Sequence, residues 1–389
     1  MIRGKFKAVA KTGIAILFLA LLSAVAIRGA AGTKYIVYVG TYTDHGSRGI
    51  YAYAFDVLSG QMIPVGLAAQ TVQPSFLANS PDGKFLYAIN ETNEFQGKQT
   101  GGVSSFLIDK TSGKLELQNE VSSLGPGPAF ITLDRTGRYV FVANYAGGSV
   151  SVYSILPDGR IGDSTYFVQH KGSSVNKQRQ ETPHAHAVAV SPDNRFILVA
   201  DLGLDQILVY PFDASRGTLG AAHIVKTEPG AGPRHLTFSA DGKFVYVINE
   251  LKSSITVFTY KAADASMSPV QTVSTLPAAF KGTNTCAEIV VHPNGKFLYG
   301  SNRGEDTVAL FSIDPAKGTL TRVENVSTGG KTPRNFAVDP TGLWLLAANQ
   351  NSNTIFRFKI NRETGRLAQA GPAVEVPSPA MVDFVARGN

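Results

Sequence analysis

LTFSADGKFVYVINEL, residues 236–251, holds an alternating strand, a tight turn at Asp241-Gly242, and an apolar strand that ends in Asn249. An Asp-Gly turn between two such runs is a hairpin signal. The same pattern recurs through the chain. FLANSPDGKFLYAINE (76–91), FITLDRTGRYVFVANY (130–145) and AVAVSPDNRFILVADL (187–202) precede it; IVVHPNGKFLYGSNRG (289–304) and FAVDPTGLWLLAANQN (336–351) follow. Turn residues Gly83, Gly137, Asn194, Gly242, Gly295 and Gly342 are 47 to 57 residues apart. Each copy continues into two further strands, as in SITVFTY (254–260). Four short antiparallel strands per repeat of this length make a propeller blade.

The two ends complete the count. YIVYVGTYT (35–43) matches a second strand and IYAYAFDVLSGQM (50–62) the third and fourth, while PAMVDFV (379–385) matches a first strand with nothing after it. Paired in one sheet, they close the ring. The sequence predicts an all-β, seven-bladed β-propeller occupying residues 33–389 as one domain.

Residues 1–32 read differently. A basic stretch precedes the apolar run IAILFLALLSAVAI (14–27), and Ala24-Val25-Ala26 and Gly29-Ala30-Ala31 offer small-residue cleavage sites. This is a signal peptide, or a retained N-terminal anchor, and it points to a periplasmic or secreted protein. The membrane is a partner only through this leader. It also carries 5 of the 36 basic residues and no acid, which leaves 31 against 29 acidic residues in the rest. No basic stripe remains to follow phosphates, so nucleic acid is excluded as a partner. The single cysteine, Cys286, rules out an intrachain disulfide and starts an apolar strand, so it reads as a small buried residue.

The repeat separates scaffold from site. Counting from each turn residue, position +7 holds Asn90, Asn144, Asp201, Asn249, Asn302 and Asn349. A short amide or acid in every blade is turn chemistry. Position −8 varies: Ser75, Ala129, His186, Arg234, Ala287, Arg334. Position +8 varies too: Glu91, Tyr145, Leu202, Glu250, Arg303, Gln350, with Tyr42 in the first blade. The start of an inner strand and the end of its antiparallel neighbour emerge on one rim. His186, Arg234, Glu250 and Arg303 should therefore converge at one mouth, with Glu91 and Arg334 farther round the ring as candidate substrate-binding residues. Arginine offers a fixed fork to carboxylate or phosphate, and histidine can take a proton from water. The four form the candidate catalytic set.

His184 shares a face with His186 on an extended strand and is a candidate substrate neighbour. Asp201 and Glu250 are the acids nearest to hand, but Asp201 fills the scaffold slot, so no metal site is assigned. His235, at −7, should face away from −8 and bond between blades; His45, His170, His223 and His292 fall in loops or turns. The polar segment GDSTYFVQHKGSSVNKQRQE (162–181), strandless in part, reads as a loop over the rim, from which Arg179 could reach the mouth.

With these residues in view, the chain resembles the lactonase family of seven-bladed β-propellers, which includes 6-phosphogluconolactonases and is similar to carboxymuconate-cyclising enzymes. VGTYT (39–43), RQETPHAH (179–186), ADLGLDQILVY (200–210), GAGPRHL (230–236), NELKSSITVF (249–258), AEIVVHPNGKFLYGSNRG (287–304) and PRNFAVDP (333–340) carry the resemblance. It implies a small-molecule lactone substrate, no cofactor, and active-site roles for His186, Arg234, Glu250 and Arg303. His186 would be the base for water, the arginines would hold the oxyanion or an acid group, and Glu250 would orient an arginine or relay a proton. Ring closure on a muconate, or binding without catalysis, are the alternatives. An exported chain further implies a sugar lactone other than the cytosolic phosphate ester, or a leader kept as an anchor.

Overall fold

Each of the six aligned hairpins closes on one residue in the left-handed region: Gly83 (φ 62°), Gly137 (69°), Asn194 (61°), Gly242 (70°), Gly295 (72°) and Gly342 (72°). Glycine adopts this conformation without a Cβ penalty, and asparagine is among the few side chains that tolerate it. The turn therefore fixes which residues pair across the hairpin.

The computed structural model describes Met1 and residues 34–388. The leader read over residues 1–32, and the boundary placed at residue 33, lie outside the described residues. Within them the chain forms seven antiparallel sheets and no α-helix; two three-residue 3-10 turns, Thr43–His45 and Gln350–Ser352, are the helical segments. Blade 1 contains strands Lys34–Thr41, Gly49–Asp56 and Gln61–Gln70. Its inner strand is Pro379–Ala386, paired antiparallel to Lys34–Thr41 from Tyr35↔Ala386 to Thr41↔Pro379. The seven-bladed ring is thus closed by the two ends of the chain. Blades 2 to 7 follow in sequence, with inner strands Leu77–Asn79, Pro128–Leu133, Ala185–Val190, Pro233–Phe238, Thr285–Val291 and Pro333–Val338. In blades 4 and 7 the outermost strand is split into two short pieces.

The apolar core lies between blades. Tyr246 and Ile248 pack against blade 6, while their neighbours Val245 and Val247 pack against blade 4. Both faces of each second strand are buried, which is why these strands are continuously apolar rather than alternating. Trp344 wedges blade 7 against blade 1, with Nε1 donating to Val57 O at 2.7 Å. In four blades the amide at +7 ties the second strand to the segment leaving the previous blade, as in Asn144 Nδ2 to Ser123 O (3.0 Å) and Asn349 Nδ2 to Thr328 O (3.1 Å). What remains for chemistry is the central channel, lined by the inner strands.

Candidate active site

The inner strands break register near their starts. Pairing skips a residue between Pro128 and Phe130, Ala185 and Ala187, Pro233 and His235, and Pro333 and Asn335, with a similar break between Cys286 and Ile289. The extra residues are Ala129, His186, Arg234 and Arg334, the −8 position of each blade. A bulge re-aims the side chain it inserts, and its twist ends the strict alternation of faces. Positions −8 and −7 consequently both turn toward the channel.

His235 shows this directly and corrects the expectation that it faces away. Its ring lies 5.2 Å from His186, 5.2 Å from Phe130 and 5.7 Å from Phe76, residues of three other blades. The expected bond between blades is present: Nδ1 meets Glu288 Oε1 of blade 6 at 3.1 Å, and Asn335 Nδ2 of blade 7 donates to Glu288 Oε2 at 2.5 Å. Arg234 Nη1 stands 3.1 Å from His235 Nε2, so the ring accepts there and donates to the carboxylate. A buried polar layer thus underlies the mouth.

Above it, Glu250 at the end of the second strand of blade 5 is the hub. Arg179 Nη2 donates to Oε1 at 2.6 Å; Arg303 Nη2 (2.8 Å) and Arg234 Nε (3.0 Å) flank Oε2. Burial alone would raise this carboxyl, but Arg303 and Arg234, with Arg179 behind them, bring it down to about 2. It stays ionised and fixes three guanidinium groups. Of the two roles expected of Glu250, orienting an arginine is the one this geometry favours. Arg234 is held further by Ala287 O (2.7 Å) and Arg303 by Cys286 O (2.8 Å). Burial, then Arg303 and Arg334, lower the Arg234 guanidinium to about 9, still charged at neutral pH. Arg303 Nε is buried with no hydrogen-bond partner among the described residues, leaving a donor unused.

His186 enters the same cavity, of about 300 Å³, with its ring edge-on to Tyr145 at 5.3 Å. Burial first, then the charge of Arg234, hold its imidazole well below the usual 6.5. It is neutral at physiological pH, and Nδ1 has no partner among the described residues.

Glu91 and Arg334 correct the pattern-based placement. Both line this cavity, because the channel is narrow enough for blades 2 and 7 to meet blades 4 to 6 across it. Tyr42 Oη donates to Glu91 Oε2 at 2.7 Å, Ser75 Oγ donates to the same oxygen, and Arg334 Nη2 lies 3.9 Å away. The Arg334 guanidinium sits over the Tyr42 ring at 5.1 Å.

His184 is not brought into the cavity. Its ring stacks on Tyr145 (4.5 Å, 15°) and Nδ1 meets Tyr145 O at 2.9 Å, so it braces Tyr145 from behind. The strand does not begin until Ala185, which is why the expected shared face with His186 fails. Arg179 does reach the mouth, from the loop between strand Ile161–Gln169 and the blade-4 inner strand. Sequence reasoning passed over Tyr145, whose Oη accepts from Arg179 Nη2 at 3.2 Å, and Thr285. Tyr145 stood in the +8 series but carried no charge to single it out. His170 lies in a loop, as expected, but its partners were missed: it is buried, with Nδ1 2.6 Å from Asp201 Oδ2 and Nε2 3.0 Å from Tyr210 Oη. Asp201 is occupied by that pair and by the His184 backbone N–H. Among the described residues no group of three or more His, Cys, Asp or Glu is arranged to hold a metal.

Known proteins share this architecture along the whole propeller. The profile described as "Lactonase, 7-bladed beta-propeller" matches residues 36–384. A Bacillus subtilis protein named 6-phosphogluconolactonase is 35% identical over 353 residues, covering 91% of this chain and 99% of the relative. One of the same name from Formosa agariphila is 35% identical over 307 residues, 77% of this chain and 85% of that protein. The solved structure of a periplasmic gluconolactonase from Pseudomonas aeruginosa is 36% identical with a TM-score of 0.86, and covers 92% of this chain and 100% of that one.

Proposed function

Because this chain belongs to the lactonase family of seven-bladed β-propellers, we propose that it hydrolyses a sugar lactone, as a 6-phosphogluconolactonase-like carboxylic-ester hydrolase. His186 takes a proton from water as the water oxygen bonds to the lactone carbonyl carbon. The electron pair of the carbonyl moves to its oxygen, which faces Arg303, with the buried Arg234 adding its charge from beside Glu250. When the tetrahedral intermediate collapses, the bond to the ring oxygen breaks and His186 returns its proton there. The product is an open hydroxy acid. A base of this kind is worth about 10²–10⁴ in rate, and one charged oxyanion donor about 3–4 kcal/mol.

One observation carries the reading: a neutral imidazole with an unpartnered ring nitrogen shares a small cavity with a guanidinium that has an unused N–H. Glu250 acts by holding the arginines still. Three arginines (Arg179, Arg303, Arg334) and two glutamates (Glu91, Glu250) line the cavity, with Arg234 buried against Glu250, which suits a substrate that carries or develops negative charge. The scheme calls for no cofactor.

We read the leader as directing export, in keeping with the periplasmic gluconolactonase among the similar structures. Intact mass of the protein recovered from cells tests this; a chain retaining residues 1–32 contradicts cleavage.

The functional test is pH-stat proton release with δ-gluconolactone, its 6-phosphate and a muconolactone, each with and without chelator. Release well above the spontaneous rate on a sugar lactone, unchanged by chelator, is expected. Release at the spontaneous rate on all three overturns the hydrolase reading, and loss of turnover with chelator overturns the metal-free mechanism.

A further inference from the structure

The mouth of the channel has two unlike halves. Around Glu250, three arginines saturate the carboxylate: Oε1 is engaged by Arg179 and Oε2 by Arg234 and Arg303. Across the axis, Glu91 is held on one side only. Tyr42 and Ser75 both donate to Oε2, while Oε1 accepts no hydrogen bond among the described residues. The Glu91 side chain is 23% exposed, and it lines the cavity. Beside it, Arg334 makes no hydrogen bond among the described residues; its guanidinium rests on the Tyr42 ring and comes no closer than 3.9 Å to Glu91.

We infer that Glu91 and Arg334 form a hydroxyl-binding subsite, in which Glu91 Oε1 accepts from, and Arg334 donates to, adjacent hydroxyls on the carbon chain of the substrate. This rests on the hydrolase reading for the identity of the ligand as a polyhydroxylated lactone or its acid. A sugar hydroxyl is both donor and acceptor, so a vicinal diol is matched by one fixed acceptor next to one fixed donor. A second carboxylate on the substrate would meet Glu91 charge to charge, without the arginine cage that shields Glu250. The subsite therefore selects polyols over dicarboxylates, and selects against a muconate. The lactone then lies across the channel, its carbonyl toward His186 and Arg303 and its hydroxyls toward blades 2 and 7. Tyr42 is the positioning residue: its hydroxyl turns Glu91, and its ring seats Arg334.

Calorimetric titration with gluconate and with hexanoate tests this without catalysis. Both acids offer one carboxylate to the arginines; only gluconate offers hydroxyls. Wild-type protein should prefer gluconate by about tenfold or more, the range of a charge-assisted hydrogen bond. Glu91→Gln should remove most of that preference. Tyr42→Phe, which keeps the Glu91 charge but frees its position, should remove part of it, with thermal melting reporting that each variant is folded. An unchanged preference in folded Glu91→Gln, or no preference in wild type, overturns the subsite. Lactone turnover is measured separately, so failure of the hydrolase reading leaves a different signature from failure of this one.

Discussion

Arg303 places Nη2 2.8 Å from Glu250 Oε2, joining the second strand of blade 6 to that of blade 5 at the mouth of the channel. The carboxylate it meets is buried and also neutralises Arg234 and Arg179. Removing this one charge leaves three guanidinium groups facing one another, so the effect should appear in stability as well as in rate.

Glu250→Gln should therefore melt below wild type at neutral pH. The folded-state carboxyl sits at about 2, below its ordinary 4.5. A depressed carboxyl stabilises fully above its unfolded value, and that contribution fades as pH falls toward the folded one. The gap in melting temperature between the two proteins should hold above pH 4.5 and shrink between there and about 2. A gap independent of pH would contradict the charge argument.

The rate should not follow an ordinary histidine. Burial, followed by the fields of Arg234, His235 and Arg334, keeps His186 neutral well below 6.5. A base must be unprotonated, so kcat/KM should be flat through 6.5 and fall only at lower pH. An inflection at or above 6.5 in the pH-rate profile would place the titrating base elsewhere.

The polar layer beneath the mouth is a stability element. Glu288 joins His235 and Asn335, and its Oε1 also accepts from the Ile289 N–H at 2.9 Å. Glu288→Gln keeps the shape and removes the charge that His235 serves. His235 is neutral, so what is lost is a buried hydrogen bond to a charged group, at a cost of about 1.5–3 kcal/mol, readable in urea unfolding. A change under about 1 kcal/mol would show that the layer does not act as a charged network.

Two turn substitutions should both destabilise, although backbone preference alone predicts a loss for only one of them. Gly342→Ala strains a residue at φ 72° and drives its Cβ to 2.6 Å from His292 Cε1, so a loss of about 1–2 kcal/mol is expected. Asn194→Gly relieves the backbone yet should destabilise by about 1 kcal/mol. The Asn194 side chain accepts from Arg135 N at 2.8 Å and donates to Asp134 Oδ2 at 3.0 Å, both in blade 3. A stabilised Asn194→Gly would show those bonds to be of no net value.

The propeller was legible because its turns repeat, and a residue with positive φ leaves a glycine or asparagine behind in the sequence. The mouth was legible because −8 and +8 are the positions that differ among otherwise like blades. What the sequence did not disclose is the bulge. Main-chain pairing creates it, and no residue type marks it, so strict alternation put His235 on the wrong face and left Glu288 and Asn335 unnoticed. The diameter of the channel was also invisible, which is why Glu91 and Arg334 were set too far from His186. His184 was misjudged because the strand starts one residue after it. His170 and Asp201, distant in sequence, meet only once the blade-4 loop is folded.

The central claim is that His186 is the base. Initial rates of proton release from δ-gluconolactone, for wild type and for His186→Ala shown by melting to be folded, test it most directly. The account predicts a fall in kcat of about 10²–10⁴ in the variant. Equal rates in the two proteins would contradict it.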